Sequence, residues 1–559
     1  MDWWRTAVVY QVYIRSFADA NGDGDGDIAG IRSRLPYLRD LGVDAIWITP
    51  WYPSPMADGG YDVADYRAID PRFGRLEDAR GLLADAHALG LKVMIDIVPN
   101  HTSSEHRWFR EALAASHGSA SRARYHFRDG RGPGSAEPPN NWRSVFGGPA
   151  WTEAPEDGAS PRQWYLHLFD ETQPDLNWDN PEVRAEFESI LEFWLDIGVD
   201  GFRIDVASFL LKAPGLPDLP ERSEAISRAE DPASWDPAAH PYENVGGLHE
   251  IYRRWHAIAQ RHGAVFCGEV HLPPAFTARY LRSDELHTAF NFDFALRPWD
   301  AGAFRQSIDA TLASCSAVGA PPTWVLGNHD LPRPVYRYGR PGAVPANDGW
   351  NAWGRIEPSD RGRGLARARA AALLYLALPG SAYIYQGDEL GLPEVLDLPD
   401  EARRDPTFRR SGGSDVGRDG TRIAMPWSGD QPPFGFGPPG SRPWLPQPAD
   451  WRELSVEAEA GRPGSTLELY RAALRIRRDD PGLAAGSFRW LASPASTLLF
   501  GRGGGFACAV NLSTEPMPLP SGARVILASA RVGSDHILAP DSAAWLVLDG
   551  AGTEATWPS

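Results

Sequence analysis

The chain has 559 residues but only three cysteines, Cys267, Cys315 and Cys508. Three thiols so far apart are too few for a disulfide framework or a metal cluster, so we expect a reducing compartment. The opening Met-Asp-Trp-Trp-Arg also has no apolar core, so we expect no signal sequence. No later run is long enough to span a bilayer. These absences predict a soluble, cytoplasmic protein without a membrane partner.

Positive charge is scarce as well. Lysine and arginine number 55 against 73 aspartates and glutamates, which gives a formal net charge of −18. Such a balance repels phosphate backbones and anionic lipid, which argues against nucleic-acid binding. The negative charge would not oppose the binding of a small neutral substrate. With 43% hydrophobic residues the chain can bury large cores in one to three domains; its oligomeric state is left open.

Short β-branched or aromatic runs alternate with amphipathic helical stretches, which is typical of βα units around a parallel sheet. Eight predicted strands can be counted: Val8–Ile14, Ala45–Thr49, Lys92–Val98, Gly201–Asp205, Val265–Glu269, Ala289–Phe292, Thr323–Leu326 and Ala382–Tyr385. Predicted helices between them include Ile31–Leu41, Leu76–Leu89, Pro181–Ile197, Leu248–His262 and Ala366–Leu378. Eight units predict an α/β fold of the (β/α)8 TIM-barrel type.

Two polar passages rich in glycine and proline interrupt this rhythm. The first follows the third strand and predicts an inserted subdomain over 101–173, between barrel parts at 1–100 and 174–481. The second, 394–450, follows the eighth strand and should loop over the mouth of the barrel. A helix at Thr466–Asp480 then closes the barrel, and short strand-like runs predict an all-β, sandwich-like domain over 482–559.

The stretch Gly198–Val206, GVDGFRIDV, sets Arg203 and Asp205 two residues apart in an apolar run. Side chains two apart on a strand share a face, so both would project inward where barrels of this type keep their chemistry. A guanidinium group beside Asp205 favours the ionised carboxylate, as a nucleophile requires. The alternative is a structural ion pair at the strand end.

Other predicted strands end in polar residues at the same position. These are Asp96 with Asn100 and His101, Glu269, and Asn328 with His329 and Asp330. Any one could be structural, but their joint placement favours catalysis. Paired carboxylates without an organic cofactor suit acetal cleavage, in which one is the nucleophile and the other the general acid. We expect Glu269 to be the acid, because its apolar and carboxylate neighbours should raise its pKa.

Six motifs in order make the chain resemble the alpha-amylase family of glycoside hydrolases (glycoside hydrolase family 13), within it the exo-α-glucosidase and oligo-1,6-glucosidase branch. They are GGYDVADY at Gly59–Tyr66, DIVPNHTS at Asp96–Ser103, QPDLNW at Gln173–Trp178, GFRIDV at Gly201–Val206, GEV at Gly268–Val270 and NHD at Asn328–Asp330. The resemblance covers essentially the whole chain. It implies that Asp205 is the nucleophile, Glu269 the acid/base and Asp330 the carboxylate that holds ring hydroxyls of the sugar.

The same resemblance implies a set of residues that bind the terminal glucose. They are Tyr61, Asp62, His101, Arg203 and His329. The segment Arg418–Trp427, RDGTRIAMPW, looks like a further family loop, with Ile423 and Ala424 in place of Thr-Pro. In relatives an arginine of this loop helps the aspartate to block the site beyond the terminal sugar. This implies a contact between Arg422 and Asp62.

A loop near the start alternates oxygen-bearing side chains with glycines. Its candidate ligands are Asp19, Asn21, Asp23, Asp25 and Asp27. Such a loop can wrap a hard cation, although Gly30 stands where an EF-hand has its bidentate glutamate. The α-glucosidase branch carries a similar calcium loop in which position 25 supplies a backbone carbonyl, so the resemblance implies a structural Ca²⁺. The alternative is an Asx-rich turn that binds nothing.

Together these inferences predict a retaining exo-α-glucosidase that releases α-1,4-linked glucose from the non-reducing ends of maltose and short malto-oligosaccharides. One alternative is an oligo-1,6-glucosidase, because Val206 is often seen in relatives that prefer α-1,6 bonds. A transglucosylase or sucrose-active enzyme would use the same catalytic group. A non-catalytic relative that partners a membrane transporter is a further alternative, but such proteins lose the carboxylates that this chain has.

Overall fold

A computed structural model describes residues 2–155, 161–219, 240–341, 358–484 and 487–548. Its centre is a set of eight parallel strands: β1 (Val8–Val12), β2 (Ala45–Ile48), β3 (Lys92–Ile97), β4 (Gly201–Ile204), β5 (Val265–Gly268), β6 (Thr288–Ala289), β7 (Thr323–Val325) and β8 (Ser381–Tyr385). Each strand from β1 to β5 pairs with the next, and β8 pairs with both β7 and β1. Of the eight neighbouring pairs that a closed barrel of these strands would have, only β6 with β7 is missing. The predicted α/β barrel is therefore confirmed and nearly closed.

The barrel strands are apolar runs because both of their faces are buried. All residues of β1, β2, β4, β5 and β8 are buried, as expected for parallel strands covered by helices. Close packing also explains the glycine that opens β4. A Cβ atom at Gly201 would lie 2.3 Å from the carbonyl oxygen of Val265 on β5.

Helices surround the barrel. The long ones are Ile28–Leu41, Leu76–Ala88, Pro181–Ile197, Leu248–His262, Ala301–Val318, Arg361–Ala377 and Thr466–Asp479. Shorter helices are Arg107–Ala114, Pro274–Thr277, Phe292–Ala295, Pro334–Gly339, Pro406–Arg410, Val456–Glu459 and Pro481–Ala484. None of the helices in the described ranges is long and apolar enough to cross a membrane.

Local sequence fixes both ends of Pro181–Ile197, the helix that precedes β4. Asn180 caps its first turn by accepting from the N–H of Glu182, and Pro181 occupies the first helical position. Gly198 ends the helix with φ 114°, a left-handed conformation that glycine adopts without strain. The turn therefore comes at a defined point, three residues before the strand that carries Arg203.

One predicted strand is shorter than expected. The sequence predicts Ala289–Phe292, but β6 stops at Ala289 and Phe292 begins a short helix. The side chain of Asn291 caps that helix by accepting from the N–H of Phe294 at 3.0 Å. The helix Ala301–Val318 then leads to β7.

The chain between β3 and β4 carries a small antiparallel sheet of three strands, Phe127–Asp129, Trp151–Glu153 and Gln163–Leu166. Apolar side chains of this insert, including Trp142 and Phe146, share a core with Val206 and Leu216, which follow β4. The insert therefore packs at the end of the barrel where the strands give way to loops.

A buried ammonium group also ties this insert to the barrel. Lys212 Nζ lies 2.7 Å from Asp175 Oδ2, and it donates to Asn100 Oδ1 at 2.8 Å and to the carbonyl oxygen of Phe209 at 2.7 Å. The side chains of Lys212 and Asp175 are fully buried. One cation thus joins the segments that follow β3, the insert and β4.

After the last long helix the chain forms an antiparallel sheet with strands Arg489–Trp490, Thr497–Gly501, Phe506–Asn511, Ser542–Leu548 and Ala523–Ala528 in that order. Met517–Pro518 and Ile537–Leu538 form a second, two-stranded sheet. Trp545 donates from its indole nitrogen to the carbonyl oxygen of Leu373 at 2.9 Å, so the sheet packs on the helix Arg361–Ala377. The predicted C-terminal all-β domain is confirmed.

Candidate active site

Arg203 is the centre of the polar cluster at the mouth of the barrel, the end at which the carboxyl termini of the strands open into loops. Its Nη1 lies 2.7 Å from Asp96 Oδ1 and 2.8 Å from Asp205 Oδ1, and its Nη2 lies 2.5 Å from Glu269 Oε2. Register explains part of this convergence, because Asp96 on β3 and Arg203 on β4 are directly paired. The predicted meeting of these strand ends is therefore present.

Asp96 serves as a support within this cluster. Besides Arg203, it accepts from Trp47 Nε1 at 2.8 Å and from the hydroxyl of Tyr61 at 3.1 Å. Burial raises the pKa of Asp96 to about 6, although these donors and Arg203 act to lower it. With both oxygens engaged and no exposed surface, Asp96 is placed to hold Arg203 and Tyr61 in position.

Glu269 receives three donors. Its Oε2 contacts Arg203 and also accepts from the N–H of Val206 at 3.0 Å, while its Oε1 lies 3.1 Å from His271 Nε2. Val206 has φ 37°, which is a strained conformation for a β-branched residue. This backbone conformation directs the N–H that follows Asp205 toward the carboxylate of Glu269.

The pKa shifts of the two carboxyl groups differ from expectation. Burial and the charges of Glu269, Asp96 and Asp330 raise the pKa of Asp205 well above its usual value. Burial alone would raise the pKa of Glu269 too, but the charge of Arg203 and the hydrogen bond from His271 lower it to about 2. The expectation of a raised pKa for Glu269 is wrong, because the charge of Arg203 and the hydrogen bond from His271 outweigh the effect of burial.

Asp330 lies beside His329, as the sequence order requires. Its Oδ2 is 3.0 Å from His329 Nε2, and its Oδ1 accepts from Arg418 at 2.8 Å and from Arg422 at 3.0 Å. Burial is outweighed by these cations and by the imidazole, so the pKa of Asp330 is held below its usual range. The ring of His329 stacks on Tyr61 with centroids 5.2 Å apart and planes 6° apart. Asp330 is therefore ionised and rigidly supported.

His101 approaches the same group from the end of β3. Its Nε2 lies 3.2 Å from the carbonyl oxygen of Tyr61 and 3.1 Å from Gln173 Nε2. Gln173 in turn donates to Asp58 Oδ2 at 3.1 Å. Burial lowers the pKa of His101, which favours the neutral ring.

The expected contact between Asp62 and Arg422 is absent, although both residues lie within the described part of the chain. Asp62 is fully buried and accepts from the hydroxyl of Ser54 and from the N–H groups of Ala57 and Asp58, at 2.8, 2.9 and 3.1 Å. Its carboxylate therefore holds the turn that precedes it. Arg422 instead donates to the carbonyl oxygen of His329 at 3.0 Å and to Asp330.

Asp58 and Arg418 form the ion pair that was expected of Asp62 and Arg422. Arg418 Nη2 lies 2.7 Å from Asp58 Oδ1, Nη1 lies 2.8 Å from Asp330 Oδ1, and Nε lies 2.6 Å from Asp405 Oδ2. The guanidinium group is buried and connects the loops that follow β2, β7 and β8. Neither Asp58 nor Arg418 was predicted, because the family resemblance was applied to the second aspartate of the segment DGGYD and to the second arginine of RDGTR.

His271 and Gln173 were also missed as site residues. His271 stands two residues after Glu269, and Gln173 opens the QPDLNW motif. Residues two apart share a face only while the strand continues. Since β5 ends at Gly268, the sequence carried no periodic signal that would place His271 beside Glu269.

The candidate calcium loop makes internal hydrogen bonds. Asp19 accepts from two backbone N–H groups, Asp27 caps the helix Ile28–Leu41, and Asn21 and Asp23 each accept from the N–H two residues on. Asp25 forms an ion pair with Arg15 at 2.6 Å. The resemblance implies a calcium contact through the backbone carbonyl at this position and not through the side chain. Within the described ranges no three His, Cys, Asp or Glu side chains are grouped as metal ligands would be. The oxygens are nevertheless of the hard type that Ca²⁺ takes.

A parallel barrel whose carboxylates meet at the carboxyl ends of its strands is the arrangement of a barrel hydrolase. The model of the alpha amylase catalytic domain matches residues 11–486, and a model described as a domain of unknown function (DUF3459) matches residues 484–545. The chain belongs to the alpha-amylase family, and it is a glycoside hydrolase.

Individual relatives agree with this assignment. The chain is similar to a probable alpha-glucosidase of Rhizobium meliloti (strain 1021), with 37% identity over 92% of this chain and 90% of that protein. It is similar to an oligo-1,6-glucosidase of Parageobacillus thermoglucosidasius, with 33% identity over 87% of this chain and 85% of that protein. Among solved structures it is similar to an alpha-glucosyl transfer enzyme, XgtA, with 36% identity, a TM-score of 0.83 and coverage of 98% and 99% of the two chains.

Proposed function

We propose that the protein is a retaining exo-α-glucosidase that releases α-1,4-linked glucose from the non-reducing ends of maltose and short malto-oligosaccharides. The observation that carries the exo assignment is the buried contact of Arg418 with both Asp58 and Asp330. It links the loops after β2 and β7 across the mouth of the barrel. If Asp330 holds the ring hydroxyls of the terminal glucose, this contact blocks the space into which a further sugar unit would extend.

In this proposal Asp205 is the nucleophile. Its carboxylate oxygen attacks the anomeric carbon of the terminal glucose, and the bond from that carbon to the leaving oxygen breaks. Glu269 transfers its proton to the leaving oxygen. Water then attacks the covalent glucosyl-enzyme, Glu269 takes a proton from that water, and Asp205 is released with the configuration retained. Glu269 therefore gives up one proton and takes one back in each cycle.

Arg203 has a central part in this cycle because it contacts both reacting carboxylates. Two opposing effects act on each of these carboxyl groups: burial raises the pKa of both, and the guanidinium group of Arg203 lowers it. The reactive arrangement has the proton on Glu269 and a charged Asp205. Because both carboxylates contact one guanidinium group, they titrate as a pair.

Two specificities compete with α-1,4 hydrolysis. The similarity to an oligo-1,6-glucosidase supports a preference for α-1,6 bonds, and the similarity to an alpha-glucosyl transfer enzyme supports transfer to a sugar acceptor. Both use the same carboxylates, so they differ only in the loops that receive the leaving group or the acceptor.

The test is a product analysis of the purified enzyme with maltose, isomaltose, trehalose and sucrose side by side, followed by maltoheptaose and soluble starch. We expect fastest release of glucose from maltose, glucose alone as the first product from maltoheptaose, and hardly any attack on starch. Rapid conversion of starch into mixed oligosaccharides would contradict the exo assignment. Faster cleavage of isomaltose would favour the α-1,6 alternative, and new oligosaccharides would favour transfer.

A further inference from the structure

The two oxygens of the Glu269 carboxylate have different surroundings. Oε2 has two donors, Arg203 Nη2 at 2.5 Å and the N–H of Val206 at 3.0 Å. Oε1 lies 3.1 Å from His271 Nε2. An oxygen that accepts two strong hydrogen bonds is a poor site for a proton. The proton that Glu269 transfers therefore belongs on Oε1, the oxygen beside His271.

The imidazole ring of His271 is itself held in place. It stacks on the ring of Phe292 with centroids 3.6 Å apart and planes 16° apart. Phe292 is buried at the start of the short helix Phe292–Ala295, and it packs edge-on against Phe290. The His271 side chain is 19% exposed, so it lies between the buried carboxyl group of Glu269 and the open mouth of the barrel.

We propose that His271 is a positioning residue that sets the rotation of the Glu269 carboxyl group and so directs Oε1 toward the leaving oxygen of the substrate. This inference rests on the proposed function, in which Glu269 is the acid/base. The terminal torsion of a glutamate is soft, so a carboxyl group held only through Oε2 can turn about its last bond. Hydrogen bonds on both oxygens hold the plane of the group.

A misdirected acid has a kinetic signature that general damage to the site lacks. Proton donation matters most when the leaving group is a poor one, and an acidic phenol leaves without it. The ratio kcat/KM reports the steps up to formation of the glucosyl-enzyme. Comparing kcat/KM for phenyl α-glucoside and 2,4-dinitrophenyl α-glucoside therefore isolates the acid function.

The variant to test is His271→Phe, which keeps an aromatic ring to stack on Phe292 and lacks the ring nitrogens. We expect kcat/KM for phenyl α-glucoside to fall on the order of tenfold, a fraction of the roughly 10²–10⁴-fold that general acid catalysis contributes. For 2,4-dinitrophenyl α-glucoside it should change by less than about twofold, since that leaving group needs no acid. Equal losses on both substrates, or no loss on either, would overturn the proposal.

Two further variants complete the design. His271→Gln restores a side-chain N–H donor and should recover most of the activity on phenyl α-glucoside; a loss as large as in His271→Phe would contradict the hydrogen bond as the cause. Glu269→Ala tests the proposed function separately, because loss of the acid itself should depend strongly on the leaving group. If Glu269→Ala shows no such dependence, both proposals fail. If it does and His271→Phe does not, only the positioning role fails.

Discussion

Asp58 and Arg418 are 360 positions apart in the chain, yet Arg418 Nη2 lies 2.7 Å from Asp58 Oδ1 and both side chains are buried. The same guanidinium group contacts Asp330 and Asp405. An ion pair between two loops far apart in the sequence thus closes one side of the polar cluster, and in the proposed function it is the wall of the glucose site.

The first prediction concerns that wall. Asp58→Ala should lower kcat/KM for maltose by about 10²–10³-fold, the usual loss when one charged partner of the transition state is removed. The fold should survive, because Arg418 keeps Asp330 and Asp405 as partners. Steady-state kinetics with a circular dichroism spectrum checks this. A variant with unchanged kcat/KM would remove Asp58 from the site.

The second prediction separates Asp62 from Asp58. Asp62 holds the turn of residues 54–58 through three hydrogen bonds. Asp62→Ala should therefore impair maltose hydrolysis through misplacement of Asp58 and should also cost about 1–3 kcal/mol of stability per unsatisfied buried donor group. Thermal melting of both variants distinguishes the two roles. An Asp62→Ala enzyme that melts like the wild type but has lost activity would restore Asp62 as a direct ligand of the sugar.

The third prediction is retention of configuration. With Asp205 as nucleophile and Glu269 as acid/base, the first product should be α-glucose, and the carboxyl groups should lie about 5–5.5 Å apart. A time course by NMR identifies the anomer that is released first. β-Glucose as the first product would show an inverting reaction and a wider spacing.

The fourth prediction concerns the buried cation between insert and barrel. Lys212→Met keeps the length of the side chain but leaves Asp175 buried without its ammonium partner. Breaking a buried pair from one side typically costs about 3–5 kcal/mol. We expect a marked drop in melting temperature, with Arg39→Met, at the exposed ion pair with Asp40, as the control that changes little. Equal melting of the two variants would contradict a structural role for Lys212.

The fifth prediction concerns the proposed Ca²⁺ ion in loop 19–27. If the loop binds calcium, Asp19, Asn21, Asp23 and Asp27 can use lone pairs that their hydrogen bonds to backbone N–H groups leave free. Chelation should then lower the melting temperature through loss of a ligand that binds only the native state, and added Ca²⁺ should restore it. Unchanged melting together with no calcium by elemental analysis would leave the loop as an Asx-rich turn.

Much of the fold follows from local sequence. The eight barrel strands were predicted within a few residues, and Pro181–Ile197 and Leu248–His262 match their predicted bounds. Hydrophobic periodicity and the effects of proline and glycine on helix ends act over a few residues, so they can be recognised in the sequence itself. The same holds for the placement of Asp96, Arg203, Glu269 and Asp330 at one end of the barrel, because parallel strands bring their carboxyl ends together.

Only the tertiary structure decided which of two nearby acids and which of two nearby arginines meet. Asp58 and Asp62 lie in one segment, as do Arg418 and Arg422, and their partners depend on loop conformations fixed by distant contacts. The same reason applies to the pKa of Glu269. Its residue type and neighbours in sequence predict an increase, whereas the position of the Arg203 guanidinium group between two carboxylates makes the pKa fall. Electrostatic shifts depend on distances of a few ångströms, and those distances are set by packing across the whole barrel.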